Sequence, residues 1–337
     1  MLGLAKLIFG GREDASTERD KIVDFAIEKA LDVSDPRLRA ISGYQRKLRP
    51  SARVAVDFVL DAVGRFPPAL DVTPDRFGTD PQVRAFFGSA GQMREVFSEN
   101  REIRSFLSEP KHGSLTHFYA GMRMTLTEKR VLANRMRGDT VQRHALRTAM
   151  NFGAHRIVLP NADEKSLRED LQERVFVRLI ELALEQIGSS LERKGELKEL
   201  RAALKTKLSA LRSMGAGLEP LSGDTGETEG GISEIERRLA DVDREISRTE
   251  VGGKTLEDHL GVLEHVLGHP EEFIRLESRI ARVTRGGFKA EPGASDQGDE
   301  IAYLSFIADV GEIAAALVRF PRDALLPEKN IANARVL

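Results

Sequence analysis

Apolar residues recur at helical spacing through the first third of this 337-residue chain. The clearest example follows Ser51, a residue type that caps helices, and ends at Pro67 and Pro68. Shorter stretches with the same spacing continue to residue 110, and glycine or proline separates them. We therefore predict a bundle of short helices over residues 12–110.

The period of the pattern then changes to two, which is typical of a strand with one face in a core. Apolar and polar residues alternate over residues 117–126, and the polar stretch Thr127–Arg130 predicts a turn. Residues 131–136 would return as an antiparallel strand, so residues 111–160 form a basic β-hairpin region. The apolar positions of the first strand are Phe118, Ala120, Met122, Met124 and Leu126.

Strand-like patterns return near the C-terminus, at residues 301–307 and 313–320. Neither this C-terminal block, residues 269–337, nor residues 111–160 holds enough strands for a stable sheet of its own. We therefore predict that the two separated segments build one small mixed or antiparallel sheet.

Long helices are expected between these two blocks, over residues 161–268. Leucine recurs at helical spacing over residues 197–211, and an apolar heptad pattern spans residues 232–246. Residues 215–231 lie between them, contain six glycines and predict a flexible loop. The two stretches should fold back as an antiparallel, coiled-coil-like hairpin. The predicted fold class is α+β, predominantly helical.

The heptad pattern is the first candidate for a binding surface. Two to three heptads are marginal in isolation, so something else must cover the seam or extend it. We expect a partner helix or a second copy of the chain, which would make this a non-enzymatic interaction or scaffold protein without a cofactor. The partner-binding candidates are Ile235, Leu239, Val242 and Ile246.

Charge is segregated along the chain, although the net charge is only -2. Residues 111–160 carry nine basic and two acidic groups, whereas residues 214–300 carry ten basic and twenty acidic groups. Segments of opposite sign either face each other or attract separate partners. The segregation therefore predicts that charge orients the contacts of this protein.

The basic β region is an alternative binding surface, and it predicts a nucleic-acid-binding protein. Arginines on a sheet face can contact phosphates, and Tyr119 on the face of Arg123 could stack on a base. A solvated face, or a face covered by the acidic half of the chain, would explain the same residues. The anion-binding candidates are Arg123, Arg130, Arg135 and Arg137.

Three histidines raise a third hypothesis, a metal-dependent hydrolase. His265 and His269 are four residues apart and could hold a zinc or iron ion on one helix face, with His259 nearby. The glutamate that zinc proteases carry beside the first histidine of such a motif is missing. Surface histidines near a helix C-terminus are the alternative explanation.

Composition excludes several classes of protein. The chain has no cysteine, which excludes disulfides, thiolate metal sites and cysteine nucleophiles. No apolar run approaches the roughly 18 residues of a membrane span, and no secretion signal is visible, so we expect a cytoplasmic protein. Residues 1–11 are apolar around Lys6 and could either lie weakly on a membrane surface or dock on the protein's own core.

Overall fold

Helices and a largely antiparallel sheet make up the chain in a computed structural model, which confirms the α+β class. The N-terminal segment 1–11, for which weak membrane contact and docking on the core are both open, lies outside the described residues. The structure describes residues 15–137, 140–218, 226–249, 255–290, 298–308 and 311–327.

Among the described residues, six helices lie before residue 117 and four lie after residue 161. They are α1 (Ala15–Val33), α2 (Tyr44–Gly64), α3 (Arg76–Thr79), α4 (Pro81–Phe86), α5 (Ala90–Ser98), α6 (Arg101–Ser108), α7 (Glu164–Leu218), α8 (Gly226–Thr249), α9 (Leu256–Gly268) and α10 (Pro270–Phe273). Short 3-10 turns occur at Pro36–Ala40, Pro110–His112 and Arg322–Ala324. Within the described ranges, no helix combines the length and the apolar character that crossing a bilayer requires.

Side-chain caps explain where several of these helices begin. Asp80 accepts hydrogen bonds from the backbone of Gln82 and Val83 at the start of α4. Ser89 and Asn100 cap α5 and α6 in the same way. Thr255 forms a capping box at α9. Each cap satisfies an N–H group that the first helical turn leaves without a partner.

The two predicted β blocks lie in one sheet, as the sequence predicts. Its order is β3-β2-β6-β5-β4 with antiparallel neighbours, and the two-residue strand β1 pairs with β6 in parallel. The strands are β1 (Leu70–Asp71), β2 (His117–Arg137), β3 (Thr140–Asn161), β4 (Leu276–Val283), β5 (Asp299–Ala308) and β6 (Gly311–Pro321).

The predicted turn at Thr127–Arg130 is wrong. β2 runs without interruption from His117 to Arg137, and its partner is the equally long β3. Polar residues favour turns only as a tendency, and a strand exposed on both faces carries polar residues in succession. The residues between the two strands, 138–139, lie outside the described part.

The helices after the sheet are longer than predicted. α7 continues through Gly195, because a glycine costs only about 1 kcal/mol inside a cooperative helix. The loop predicted over residues 215–231 is also helical at both ends, since α7 ends at Leu218 and α8 begins at Gly226. Residues 219–225 lie outside the described residues.

Contacts between residues divide the chain into two units. The first, here named the sheet unit, comprises Met1–Arg19, Asp57–Phe176 and Ile274–Leu337. The second, the helical unit, comprises Asp20–Val56 and Val177–Phe273.

The sheet unit has a core on one face of the sheet that is rich in aromatic residues. Phe97 of α5 stacks on Phe320 of β6 with ring centroids 4.1 Å apart. The apolar residues predicted for β2 are all buried in this core. On the opposite face, Gly121 lets α7 approach, because an added Cβ would meet Val158 and Leu171.

In the helical unit, apolar stripes of the helices supply the buried residues. Leu31 of α1, Leu48 of α2 and Val266 of α9 are fully buried. An ion pair of 2.8 Å between Lys47 Nζ and Glu257 joins α2 to α9. The helical character predicted for these stretches therefore arises from tertiary burial as well as from propensity.

Candidate functional site

The outer half of the β2–β3 pair extends beyond the rest of the sheet. The pairing of β2 with β6 ends at Thr125, which lies opposite Ile313, whereas β2 and β3 stay paired as far as Arg137 and Thr140. We name residues 128–137 and 140–150 the β-arm. Ten residues of strand span about 33 Å, so the β-arm is a long two-stranded ribbon.

The register of the β-arm defines its two faces. Leu132 lies opposite Leu146, and Arg130 lies two residues away on the same face of β2. Val131 lies opposite Arg147 on the other face, which Lys129 shares. Leu132 and Leu146 remain 67% and 56% exposed, which makes them the most conspicuous apolar residues on this ribbon.

The base of the β-arm is held by the loop that follows β4. The Met150 N–H donates to the Gly287 carbonyl at 2.8 Å, and the Lys289 N–H donates to the Thr148 carbonyl at 2.8 Å. Lys289 Nζ also lies 2.8 Å from a carboxylate oxygen of Glu128, and the Arg147 guanidinium lies 4.2 Å from the centre of the Phe288 ring. These contacts fix the direction in which the β-arm leaves the sheet.

Bulges shape β3 along its whole length. Its register against β2 shifts at three places, and each shift coincides with a left-handed residue: Leu159, Ala154 and His144. An extra residue in one strand bends it and increases the local twist. The bulge at His144 lies two residues from Leu146, so the β-arm bends close to its exposed apolar pair.

The β-arm carries basic side chains that face solvent. Lys129 and Arg130 are exposed, and neither forms an ion pair within the part of the chain that the structure describes. The stretch from Lys129 to Arg147 contains six basic residues and one acidic residue. The β-arm is therefore a strongly cationic element with two exposed leucines.

The structure distributes the predicted anion-binding residues rather than gathering them. Arg123 is exposed on the part of β2 that pairs with β6, seven residues from Arg130 and on the opposite face by alternation. Arg135 and Arg137 belong to β2, but their side chains lie outside the described residues. The pattern missed Lys129, Leu132 and Leu146 as site residues, although the loss of alternation after residue 126 was a visible signal.

The predicted partner-binding residues lie on α8 and are largely covered by the chain itself. Ile235, Val242 and Ile246 are buried, and Leu239 is half-buried. Leu197 and Leu204 of α7 pack against this α8 face in one small apolar cluster. Three ion pairs of 2.6–2.7 Å also join the two helices: Arg193–Glu245, Arg201–Asp243 and Arg212–Glu236.

The three histidines do not assemble a metal site. The rings of His265 and His269 lie 4.9 Å apart, and His269 Nδ1 contacts the His265 carbonyl at 3.1 Å. In the described part of the chain, no three His, Asp or Glu side chains come together as metal ligands do. The arrangement gives no support to the hydrolase hypothesis built on His259, His265 and His269.

A cleft of about 340 Å³ lies in the sheet unit between α4 and the loop after β4. Phe87 and Phe152 line it, and so do two arginines, Arg84 and Arg285. Arg84 is paired with Asp299 at 3.1 Å. The described residues that line the cleft include no His, Asp or Glu.

His155 of β3 contacts Phe86 and Phe87 at the end of α4, and its role is structural. Its Nε2 atom donates to the Phe86 carbonyl at 2.6 Å, and its ring stacks on Phe87. Burial lowers the pKa of His155 below its usual value, against an opposing effect of the bond to Phe86. The neutral ring therefore joins the end of α4 to β3.

No model of a protein family, no curated protein and no solved structure matches this chain.

Proposed function

We propose that this chain is a non-enzymatic, cytoplasmic nucleic-acid-binding protein that contacts its ligand with the β-arm. The observation that carries the proposal is the exposure of Lys129 and Arg130, which form no ion pair with another described residue, on a ribbon that extends beyond the rest of the sheet. Phosphates attract such cations, because binding releases the counterions that surround a nucleic acid. A two-stranded ribbon also fits the width of a major groove.

The distribution of charge favours a grooved ligand over a flat one. Arg130 and Lys129 are neighbours on β2 and therefore lie on opposite faces of the β-arm. A membrane surface would contact one face and leave the cation on the other face in water. The two phosphate-lined walls of a groove rise on either side of the ribbon, where the long side chains of both cations can reach them.

The test is the salt dependence of binding to a fluorescently labelled duplex, measured by anisotropy. We expect binding by the wild-type protein to weaken steeply between about 50 mM and about 200 mM salt. The double variant Lys129→Gln, Arg130→Gln should bind more weakly, and the slope of log affinity against log salt should fall by about two.

A matched control is the double variant Arg279→Gln, Arg282→Gln in the same unit. Both arginines are exposed on β4, but each is paired with a glutamate, at 2.8 Å to Glu277 and 2.9 Å to Glu300. The control should bind like the wild type. Equal losses in both double variants, or no duplex binding at low salt, would contradict the proposal.

A second candidate is a scaffold function, in which α7 and α8 pair as a coiled-coil-like hairpin and offer an edge to a partner helix or a second copy. The observation in its favour is the apolar surface beside the α7–α8 contact, where Leu200 is 48% exposed and Leu208 and Leu239 are half-buried. Two helices cover only part of each other's apolar face.

The scaffold candidate is tested by sedimentation. Leu239→Asp should lower the sedimenting mass or abolish capture of a partner, whereas Thr206→Asp, at an exposed position of α7, should change neither. A monomeric wild-type protein whose partner binding survives Leu239→Asp would exclude this candidate.

A further inference from the structure

The exposed leucine pair of the β-arm is an apolar surface that the cation contacts of the proposed function do not explain. Leu132 and Leu146 lie directly opposite each other, and both keep more than half of their surface in contact with water. Single exposed leucines are ordinary, but two opposite each other on a narrow ribbon form a continuous apolar ridge. Arg130 lies on the same face, one side-chain layer closer to the sheet.

A second β-arm is a poor occupant for this ridge. Two copies of the segment from Lys129 to Arg147, each with six basic residues and one acidic residue, would repel each other. An apolar ligand surrounded by negative charge fits better. Stacked base pairs between two phosphate backbones have this combination of properties.

We propose that the Leu132–Leu146 ridge inserts between neighbouring base pairs of double-stranded DNA and bends the duplex. This inference rests on the proposed nucleic-acid-binding function. The cations on both faces hold the phosphates, and the ridge unstacks one step, as apolar wedges do in architectural proteins. The bulge at His144 bends the ribbon two residues from the ridge.

Insertion implies a preference for sequences that unstack easily. Pyrimidine–purine steps such as TA and CA are flexible, whereas A-tracts are stiff. The ligand class is therefore duplex DNA with a flexible step near the contact. We expect tighter binding to a duplex with a central TA step than to an A-tract duplex of equal length.

The experiment measures bending and binding on the same duplex of about 30 base pairs, labelled with a dye pair at its ends and with 2-aminopurine at the central TA step. Wild-type protein should raise both the energy transfer and the 2-aminopurine fluorescence. The double variant Leu132→Thr, Leu146→Thr should lose both signals and still bind within about threefold, because the cations remain.

Threonine is chosen because its β-branched side chain favours strands and thus preserves the β-arm. Val131→Thr, on the opposite face, is the matched control and should keep both signals. Circular dichroism and thermal unfolding of each variant verify the fold, and the wild-type 2-aminopurine signal tests insertion without any variant.

The possible outcomes distinguish a failure of the insertion from a failure of the proposed nucleic-acid-binding function. Salt-dependent binding without bending or unstacking would overturn the insertion and leave the proposed function intact. No duplex binding at low salt would overturn both. Binding to vesicles of anionic phosphatidylserine in place of DNA, lost in the leucine variant, would assign the ridge to a membrane surface and also overturn both.

Discussion

The α7–α8 contact and the β-arm are both pairs of antiparallel elements, yet they treat apolar and charged residues in opposite ways. Between α7 and α8, Val242 and Ile246 are buried, and arginines beside them pair with carboxylates. On the β-arm, Leu132 and Leu146 are exposed, and Lys129 and Arg130 have no ion pair among the described residues.

The difference shows which of the two surfaces already has its contacts satisfied within the chain. Buried apolar groups and compensated charges stabilise the fold and leave little for a ligand to gain. Exposed apolar groups and uncompensated charges contribute little to folding and offer contact area and attraction to a ligand. This contrast is why the proposed function rests on the β-arm rather than on α8.

The largest difference in stability is expected between one substitution in the α7–α8 contact and one in the β-arm. Val242→Asp buries a charge against Leu197 and should destabilise the α7–α8 contact by about 3 kcal/mol. Leu132→Asp stays in water and should change stability by no more than about 0.5 kcal/mol. Urea unfolding followed by circular dichroism measures both. Similar losses in the two variants would show that the ridge is part of the core.

A smaller difference in stability is expected between two glycine substitutions in β3, one at a bulge and one at a regular strand position. Ala154 has a left-handed φ of 49°, so Ala154→Gly should relieve strain and stabilise the protein by about 1 kcal/mol. Ala149→Gly, at a position without left-handed backbone, should destabilise it by about 0.5–1 kcal/mol. Thermal unfolding compares the two, and a loss of stability in both would argue against the bulge.

Exposed ion pairs in the two regions should differ little in energy. A double-mutant cycle on Arg193 and Glu245 is expected to give a coupling in the low range that is typical of exposed ion pairs, since both side chains are half in water. The same cycle on Lys289 and Glu128, at the base of the β-arm, should give a similar value. Added salt should reduce both couplings. A coupling well above this range would mean that one pair is shielded from solvent.

The weakest effect at neutral pH concerns His155, where β3 is buried. Its pKa is lowered in the folded protein, so the unfolded chain takes up a proton first as the pH falls below about 6.5. This contribution to stability is complete above that pH and declines toward the native pKa. His155→Gln should therefore flatten the loss of stability between about pH 7 and pH 5, as measured by urea unfolding. An unchanged pH profile would assign the dependence to other groups.

The sequence predicted what depends on a single buried face. Alternation over residues 117–126 identified the core side of β2, and the shared sheet followed from the shortage of strands in each block. It could not predict the β-arm, because a ribbon with two exposed faces has no apolar period. The pairing of Leu132 with Leu146 depends on bulges at left-handed residues. Two of these residues are alanine and leucine, residue types that give no sign of a left-handed backbone.

The candidate site was predicted only in part, for a related reason. The basic composition of residues 111–160 was visible, and it led to Arg123 and Arg130. The predicted turn at Thr127–Arg130 prevented the prediction that these two lie on opposite faces of one strand. Sequence spacing also could not say that Lys129 forms no ion pair with the described residues. Charge counts along a chain do not contain the pairing of charges in space.

The loop that follows β4 also protects the sheet from edge-to-edge association with other copies of the chain. Phe288 bridges to Ala149 of β3 while Lys289 bridges to Val283 of β4, so one short segment occupies hydrogen-bonding groups on both outermost strands. Unoccupied strand edges recruit strands from other molecules and begin aggregates. Gly287, with a φ of 76°, shapes this cap. Any residue with a side chain would be strained at this positive φ, which would weaken the bridges to both edges and favour edge-to-edge assembly of copies over the native sheet.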